Sequence, residues 1–510
     1  MKSPRFILAL QNQSVLAAWM KITAACRARR VAMLSSLSFI LLGAIVFTAP
    51  SRLAAQAAAA TRPNIVVIMT DDQTLGQMQV LTKTRQLIEA QGTNFRNFYV
   101  SCPMCCPSRA TFLTGQYPHN HGVLLNCPGG YTTLDNNNTL PVWLQQAGYF
   151  TSHIGKYLNG YGQYTPPTLV PPGWTDWQGL VDPSTYGFYN YTINDNGTLV
   201  AYGDAPTDYQ TDVLASRAVE TIDEAVLQQP FFLSIAPVPP HQELVSTGQA
   251  LAPPQPAPRY QGAFAQAPLP QPPSFNESDV SDKPVSVREL PLLDASDIQE
   301  LMSRHRARLA ALLAVDDLVA RVVNELAATG VLNNTVIIFT TDNGFFNGEH
   351  RLKKGKRLAY EEDVHMPLLI RGAGFPQGTT ANQFVSNTDL APTIVDLANA
   401  SPGRIMDGRS LLPLVQNPSL ATAHNLLIAA RGRRNAISGT YQALRNQSFL
   451  YVEHMTGERE LYDMRPGTAN YDPYQLQSRH ADPAYAGVMA QLAAKLNQLR
   501  TCSGIGCEVQ

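Results

Sequence analysis

Residues 64–69, Asn-Ile-Val-Val-Ile-Met, form a continuous apolar and β-branched run behind a proline. A run this short without polar alternation predicts a strand buried on both faces. It stops abruptly at Thr70-Asp71-Asp72. Three more runs share the form. Phe150–Ile154 ends at Gly155-Lys156, Pro230–Ala236 ends at Pro239-Pro240-His241, and Val336–Phe339 ends at Thr341-Asp342-Asn343-Gly344. Helical patterns fall at Lys83–Gln91, Thr139–Ala147, Asp208–Gln228 and Asp297–Thr329, and Asn94–Val100 reads as another strand. Ser108–Thr114 reads as the first turns of a helix behind Pro107, a favoured N1 residue. That reading places Cys105 just before a helix N-terminus, where backbone N–H groups favour an anion. The alternation predicts an α/β fold, a large and mostly parallel sheet sandwiched by helices. Open sheets of this kind present ligands at the carboxyl ends of their strands. Here those ends deliver Asp71, Asp72, Lys156, His241, Asp342 and Asn343.

The pattern changes after about Pro402. Short strands at Asn425–Ala430, Tyr441–Arg445, Phe449–Val452 and Leu461–Asp463 precede a helix at Ala486–Arg500. They predict a smaller C-terminal antiparallel sheet with one covering helix. The expected division is a leader over 1–57, a main domain over 60–402 and a small α+β part over 403–510. Pro237–Pro291 is dense in Pro, Ala and Gln, which discourages regular structure. A long loop of this kind inside a domain is often functional, so it is expected to be an ordered surface loop near the site. The chain shows no internal repeat.

Net charge is −1 with 15% charged residues in 510, which gives no footprint for nucleic acid. Any anion site must be local. Arg27-Ala-Arg-Arg30, the apolar Met33–Phe47 and Ala54-Ala55-Gln56-Ala57 read as the three parts of a signal peptide, against an uncleaved membrane anchor. The expectation is an exported chain, periplasmic or secreted, with no stable membrane partner. Of seven cysteines, Cys26 lies in the leader. Export permits disulfides. Cys502 and Cys507 flank Ser-Gly-Ile-Gly and can close a terminal loop, and Cys102 can pair with Cys127, although spacing does not fix connectivity.

The most informative stretch is Cys105-Cys106-Pro107-Ser108-Arg109, followed by Ala-Thr-Phe-Leu-Thr-Gly115. It resembles the signature by which type I sulfatases, of the alkaline phosphatase superfamily, mark a cysteine for oxidation to Cα-formylglycine. Asp71-Asp72, Gly155-Lys156, His241, Asp342-Asn343-Gly344, Lys356 and Tyr360-Glu361 match family positions in the family's order, over nearly all of the mature chain. Within the family the chain is similar to N-acetylglucosamine-6-sulfatases and heparan endosulfatases. Tyr117-Pro-His-Asn-His121, Gly155-Lys-Tyr-Leu-Asn159, Pro172-Gly-Trp174, Tyr189-Asn-Tyr-Thr192 and Val315-Asp-Asp-Leu318 carry that likeness.

The resemblance implies an alkaline phosphatase-like fold and hydrolysis of sulfate esters, on a sulfated carbohydrate or an aryl sulfate. It implies a formylglycine-generating enzyme as maturation partner. Read alone, Asp71-Asp72 after a strand is a helix cap. Two acidic clusters at separate strand ends favour a cation, because unpaired buried carboxylates are costly. Asp71, Asp72, Asp342 and Asn343 offer hard oxygens that suit Ca²⁺ or Mg²⁺, with the aldehyde hydrate from Cys105 beside them. Arg109 is expected to hold the hydrate. Lys156 and Lys356 would bind sulfate oxygens, and His241 would protonate the leaving alcohol. Many sulfatases carry a histidine two residues after the Gly-Lys lysine, but here it is Leu158, as in the similar subgroup. The base that histidine supplies is left to His119, His121 or His153. Two other readings compete: a phosphodiesterase or phosphonate monoester hydrolase of the same superfamily, and a non-catalytic secreted glycan-binding protein.

Overall fold

In the computed structural model, which describes residues 62–508 apart from 127–129, 246–249, 418, 421–424 and 433–438, alternate residues of the first strand face opposite sides of a buried sheet. Ile65, Val67 and Met69 join one apolar cluster, whereas Val66 and Ile68 join the other. Val336 and Ile338 divide from Ile337 and Phe339 in the same way. Two buried faces are why these runs show no polar alternation. The leader, Cys26 and Cys127 lie outside the described residues.

Asn64–Thr70 runs parallel between Thr335–Thr341 and Phe231–Ala236. Phe231–Ala236 in turn pairs parallel with Phe150–Gly155, and that strand with Asp176–Leu180. Antiparallel strands flank this heart. Thr192–Asp195 and Thr198–Ala201 lie on one side. Leu368–Arg371 lies on the other and leads to Thr93–Tyr99, where His365–Met366 and Thr379–Ser386 also pair. The sheet of eleven strands is therefore parallel at its centre and mixed overall. Register does the positioning. Thr70 faces Thr341 and Gly155 faces Ala236, so neighbouring strands end level and release their polar residues side by side.

One face of the sheet is covered by Gln210–Ala225 and by the long helix Ala295–Ala328. The long helix starts two residues before the expected point. Asp294 caps it, and Asp297 closes the capping box. The opposite face is covered by Cys105–Thr114, Leu140–Gln146 and Leu390–Ala398. The helix expected at Lys83–Gln91 is a single α turn, Thr82–Thr84, widened into a π turn over Arg85–Glu89. Its free N–H groups at Lys83 and Thr84 donate to the Asp316 carboxylate at 2.9 and 2.7 Å. The neighbouring Asp317 accepts from Arg259 and Tyr260, pinning the Pro-rich segment to the long helix. Within that segment Glu243–Val245 and Ala250–Ala252 pair antiparallel. Asn276 donates its N–H to Gly348 O, beside the loop that carries Lys356.

The small C-terminal sheet runs Leu426–Ala430, Tyr441–Arg445, Phe449–His454 and Arg459–Asp463, antiparallel and in chain order. Leu492, Leu496 and Leu499 of helix Ala486–Leu499 pack on one face of it. Ile428, Ala443 and Val452 on the other face continue the main core. A polar knot also joins the two sheets. Arg445 donates to Glu361 at 2.9 Å and to Tyr99 Oη at 3.1 Å, and Tyr99 Oη donates to Glu361 at 3.1 Å. Cys502 and Cys507 form the expected disulfide, and Asn120 donates to Cys502 O.

Burial alone would raise the Glu361 carboxyl, but Arg445 and His365 outweigh it and hold it at about 2, below its ordinary 4.5. A depressed carboxyl adds stability above its unfolded value and loses it as pH falls through the folded one. Glu361→Gln is expected to lower the unfolding free energy at pH 7 by about 2–3 kcal/mol. In urea titrations the gap to wild type should close between pH 4.5 and about 2.

Candidate functional site

Cys105 opens the helix Cys105–Thr114, with Met104 as its extended N-cap. It therefore lies inside the first turn, where the sequence placed it just before. Pro107 sits within that turn, which tolerates a residue lacking an N–H. The strand end at Thr70 brings Asp71 to the same point, its Oδ1 3.4 Å from Cys105 Sγ. Asp72 follows in the left-handed region at φ 65°, which turns the chain sharply and separates the two carboxylates. Its N–H donates to Asp342 Oδ1 at 3.2 Å, and its carboxylate accepts from Asn343 Nδ2 at 2.7 Å.

Three cations and a histidine close around these acids. Lys156, directly after its strand, pairs with Asp71. Lys356 pairs with Asp72 and lies 2.6 Å from Cys105 Sγ and 3.3 Å from Asn343 Oδ1. Arg109, one helical turn after Cys105, donates through Nε to Asp342 Oδ2 at 2.8 Å and through Nη1 to Lys156 O at 3.0 Å. Its Nη2 is buried without a hydrogen-bond partner among the described residues. His241 Nε2 lies 3.6 Å from Asp72 Oδ2. Cys105, Asp71, Asp72, Arg109, Lys156, His241, Asp342, Asn343 and Lys356 thus lie in one cluster.

The electrostatics follow from burial and pairing. Burial works against charge on Asp71 and Asp72, yet Lys156 on the first and Lys356 on the second hold both carboxyls below their usual range. Both lysines are correspondingly raised, against their own burial, by Asp71 and Asp72. Cys105 goes the other way. Burial and the neighbouring Asp71 push its thiol up to about 12. An unmodified Cys105 is therefore a poor thiolate nucleophile at neutral pH.

The donor set fits a hard cation. Ligand atoms of Asp71, Asp72, Cys105 and His241 lie within 4.8 Å of one another. Asn343 Oδ1 adjoins them through Lys356. Asp342 stands slightly apart, its carboxylate turned to Arg109 and to the Asp72 N–H. Carboxylate and amide oxygens suit Ca²⁺ or Mg²⁺, and one imidazole does not change that preference.

The candidate histidines for the missing base do not join the cluster. His119 bonds Cys502 O at 2.9 Å. His121 bonds Thr111 Oγ1 at 3.1 Å, and burial lowers it to about 3. His153 bonds Ser234 Oγ at 3.2 Å and stacks on Trp177, and burial followed by Arg109 lowers it to about 3. Leu158 itself is buried in the main apolar cluster.

Three residues of the site escaped the sequence reading. Arg308, on the long helix, donates to Pro240 O at 3.0 Å, to Gln77 Oε1 and to Asp72 O, tying the His241 turn to the Asp72 turn. Its signal was a charged residue among the buried positions of the helix, where Arg304 and His305 accompany leucines, alanines and valines. Asp363 accepts from the N–H groups of Arg357 and Leu358, shaping the loop behind Lys356. Tyr186 packs against Lys156 and His241, and nothing in its local sequence marks it.

The Sulfatase family matches residues 63–400, and N-sulphoglucosamine sulphohydrolase, C-terminal, matches 348–502. A human N-acetylglucosamine-6-sulfatase is 36% identical over 496 residues, 88% of this chain and 87% of that protein. Among solved structures, one in complex with its substrate D-glucosamine-2-N,6-O-disulfate superposes with TM-score 0.71 at 24% identity, covering 86% of this chain and 97% of that one. The phosphonate monoester hydrolase of Agrobacterium radiobacter superposes at 0.62 with 22% identity, covering 86% and 95%. Those two likenesses concern the fold. The sequence matches, spanning most of the chain, place it in the sulfatase family.

Proposed function

We propose that this protein is an exported sulfatase that hydrolyses sulfate esters of sugars, R–O–SO₃⁻ + H₂O giving R–OH and sulfate, with the 6-O-sulfate of N-acetylglucosamine units as its substrate class. The observation that carries the reading is Cys105, in its Cys-x-Pro-Ser-Arg setting, held among two lysines, an arginine and the Asp71–Asp72 pair. The 36% identical human relative, named for N-acetylglucosamine-6-sulfate, supports the sugar. The likeness to a phosphonate monoester hydrolase rests on fold alone, and Asp342-Asn343 lacks the second histidine a two-zinc phosphatase would use.

Cys105 is the residue a formylglycine-generating enzyme would oxidise, and the exported chain would lose its 1–57 leader. Asp71, Asp72, Asn343 and Asp342 would hold a Ca²⁺ ion. Once present, the aldehyde hydrate and the cation supply a nucleophilic hydroxyl and polarise the sulfate oxygens. The other steps belong to the chain. Lys156 and Lys356 offer ammonium groups to sulfate oxygens, stabilising charge that builds at sulfur. Arg109, fixed by Asp342, keeps Nη2 free to orient the nucleophile. His241 stands beside Asp72, able to give a proton to the departing sugar oxygen.

Mass spectrometry of the peptide spanning Cys105 from natively exported protein should show an aldehyde. A free thiol at full occupancy would remove the proposed nucleophile. Cys105→Ala should abolish sulfate release from N-acetylglucosamine-6-sulfate, whereas a glycan-binding protein would keep its affinity. Lys356→Ala should cost about 10²–10³ in kcat, as expected for loss of one preorganised charge at the reacting group. Chelation followed by Ca²⁺ add-back should remove and restore activity, and Asp342→Ala should not be restored. Sulfate monoesters should be cleaved faster than matched phosphate monoesters.

A further inference from the structure

After Lys156 the chain runs through the buried Leu158 to a polar side chain at the edge of the site. Asn159, the next residue, is 7% exposed, and its Nδ2 lies 2.6 Å from Tyr186 Oη. Its Oδ1 is buried with no partner among the described residues. Tyr186 ends the 3-10 turn Ser184–Tyr186. Asp182, just before that turn, accepts from Gly160 N at 2.7 Å and donates its own N–H to Tyr161 O at 3.0 Å. The Asn159 turn and the Tyr186 turn are therefore bolted together through the carboxylate and the N–H of Asp182. The Tyr186 ring then faces two residues of the cluster. Lys156 Nζ lies 4.9 Å from its centroid, and the His241 ring 4.6 Å. A ring in van der Waals contact with the imidazole limits its rotation, and its π-face favours the ammonium.

We propose that Tyr186, held by Asn159, is a positioning residue for sulfate-ester cleavage, fixing His241 and Lys156 on the leaving-group side of Cys105. The inference rests on the sulfatase reading above and adds a residue to it. His241 Nδ1 is engaged with Gln242 O at 2.6 Å, which leaves Nε2 as the nitrogen for proton transfer. Tyr186 sets where that nitrogen points.

The test uses leaving groups. A sugar alcohol leaves poorly and needs the proton, whereas 4-nitrophenolate leaves without one. In the mature, aldehyde-bearing enzyme, Tyr186→Leu should lose at least about tenfold more kcat on N-acetylglucosamine-6-sulfate than on 4-nitrophenyl sulfate. Tyr186→Phe, which keeps the ring, should restore most of that difference. Asn159→Ala, which frees the hydroxyl but leaves the ring, should show the same selectivity at smaller size, and it decides the matter if Tyr186→Leu does not fold. Equal losses on both esters, or no loss, would overturn the inference while leaving the sulfatase reading intact. Wild-type protein with the aldehyde that cleaves neither ester would overturn the reading and the inference together.

Discussion

Three carboxylates buried at the ends of two neighbouring strands are the constraint on which this structure turns. Asp71, Asp72 and Asp342 are each 2% exposed or less. Isolated, such charges would be neutralised or would not be buried. Lys156, Lys356 and Arg109 answer them one for one. Each of those cations comes from a different element: a strand end, a loop and a helix. The charge balance therefore couples the sheet, the Cys105 helix and the Lys356 loop into one object. Removing one partner of such a buried pair leaves an uncompensated charge, so the cluster tolerates no single vacancy cheaply.

Holding the cations in turn requires a second set of contacts, mostly to backbone. Arg308 satisfies the carbonyls of Asp72 and Pro240. Burial lowers its guanidinium to about 10, still charged at neutral pH. Asp363 holds the two amides after Lys356, and Gly344 N bonds Asp363 O. Gly344 has no room for a side chain there, since a Cβ would come within 2.1 Å of Glu362 O. The Asp342-Asn343-Gly344 turn is thus closed sterically as well as by hydrogen bonds.

Much of this was legible in the sequence because it is local. Buried strands announce themselves as apolar runs, and the residues that follow them are set by register. The Lys83–Gln91 region is helical, as its pattern says, but the acceptor for its first N–H groups, Asp316, lies more than two hundred residues away and could not be read. The helix start was read two residues late, leaving Cys105 just outside it, because Pro107 was read as N1, although a proline fits anywhere in the first turn. His119 and His121 looked chemical by type, yet they serve the C-terminal loop and the Cys105 helix. Tyr186 could not be read, since its role arises only when distant turns meet.

The charge count also bears on what the site accepts. Three carboxylates and three cations already balance, before Arg308 and any proton on His241 are added. A divalent cation held by Asp71 and Asp72 would leave the cluster strongly positive in a buried setting. An anionic ester answers that surplus, and the ammonium groups of Lys156 and Lys356 are the donors within reach of it. Cation and ester would then each favour the other's binding, as any two ligands with complementary charge at one site must. A neutral sugar would gain nothing from that surplus. Selection for an anionic ester is in this sense a property of the balanced cluster.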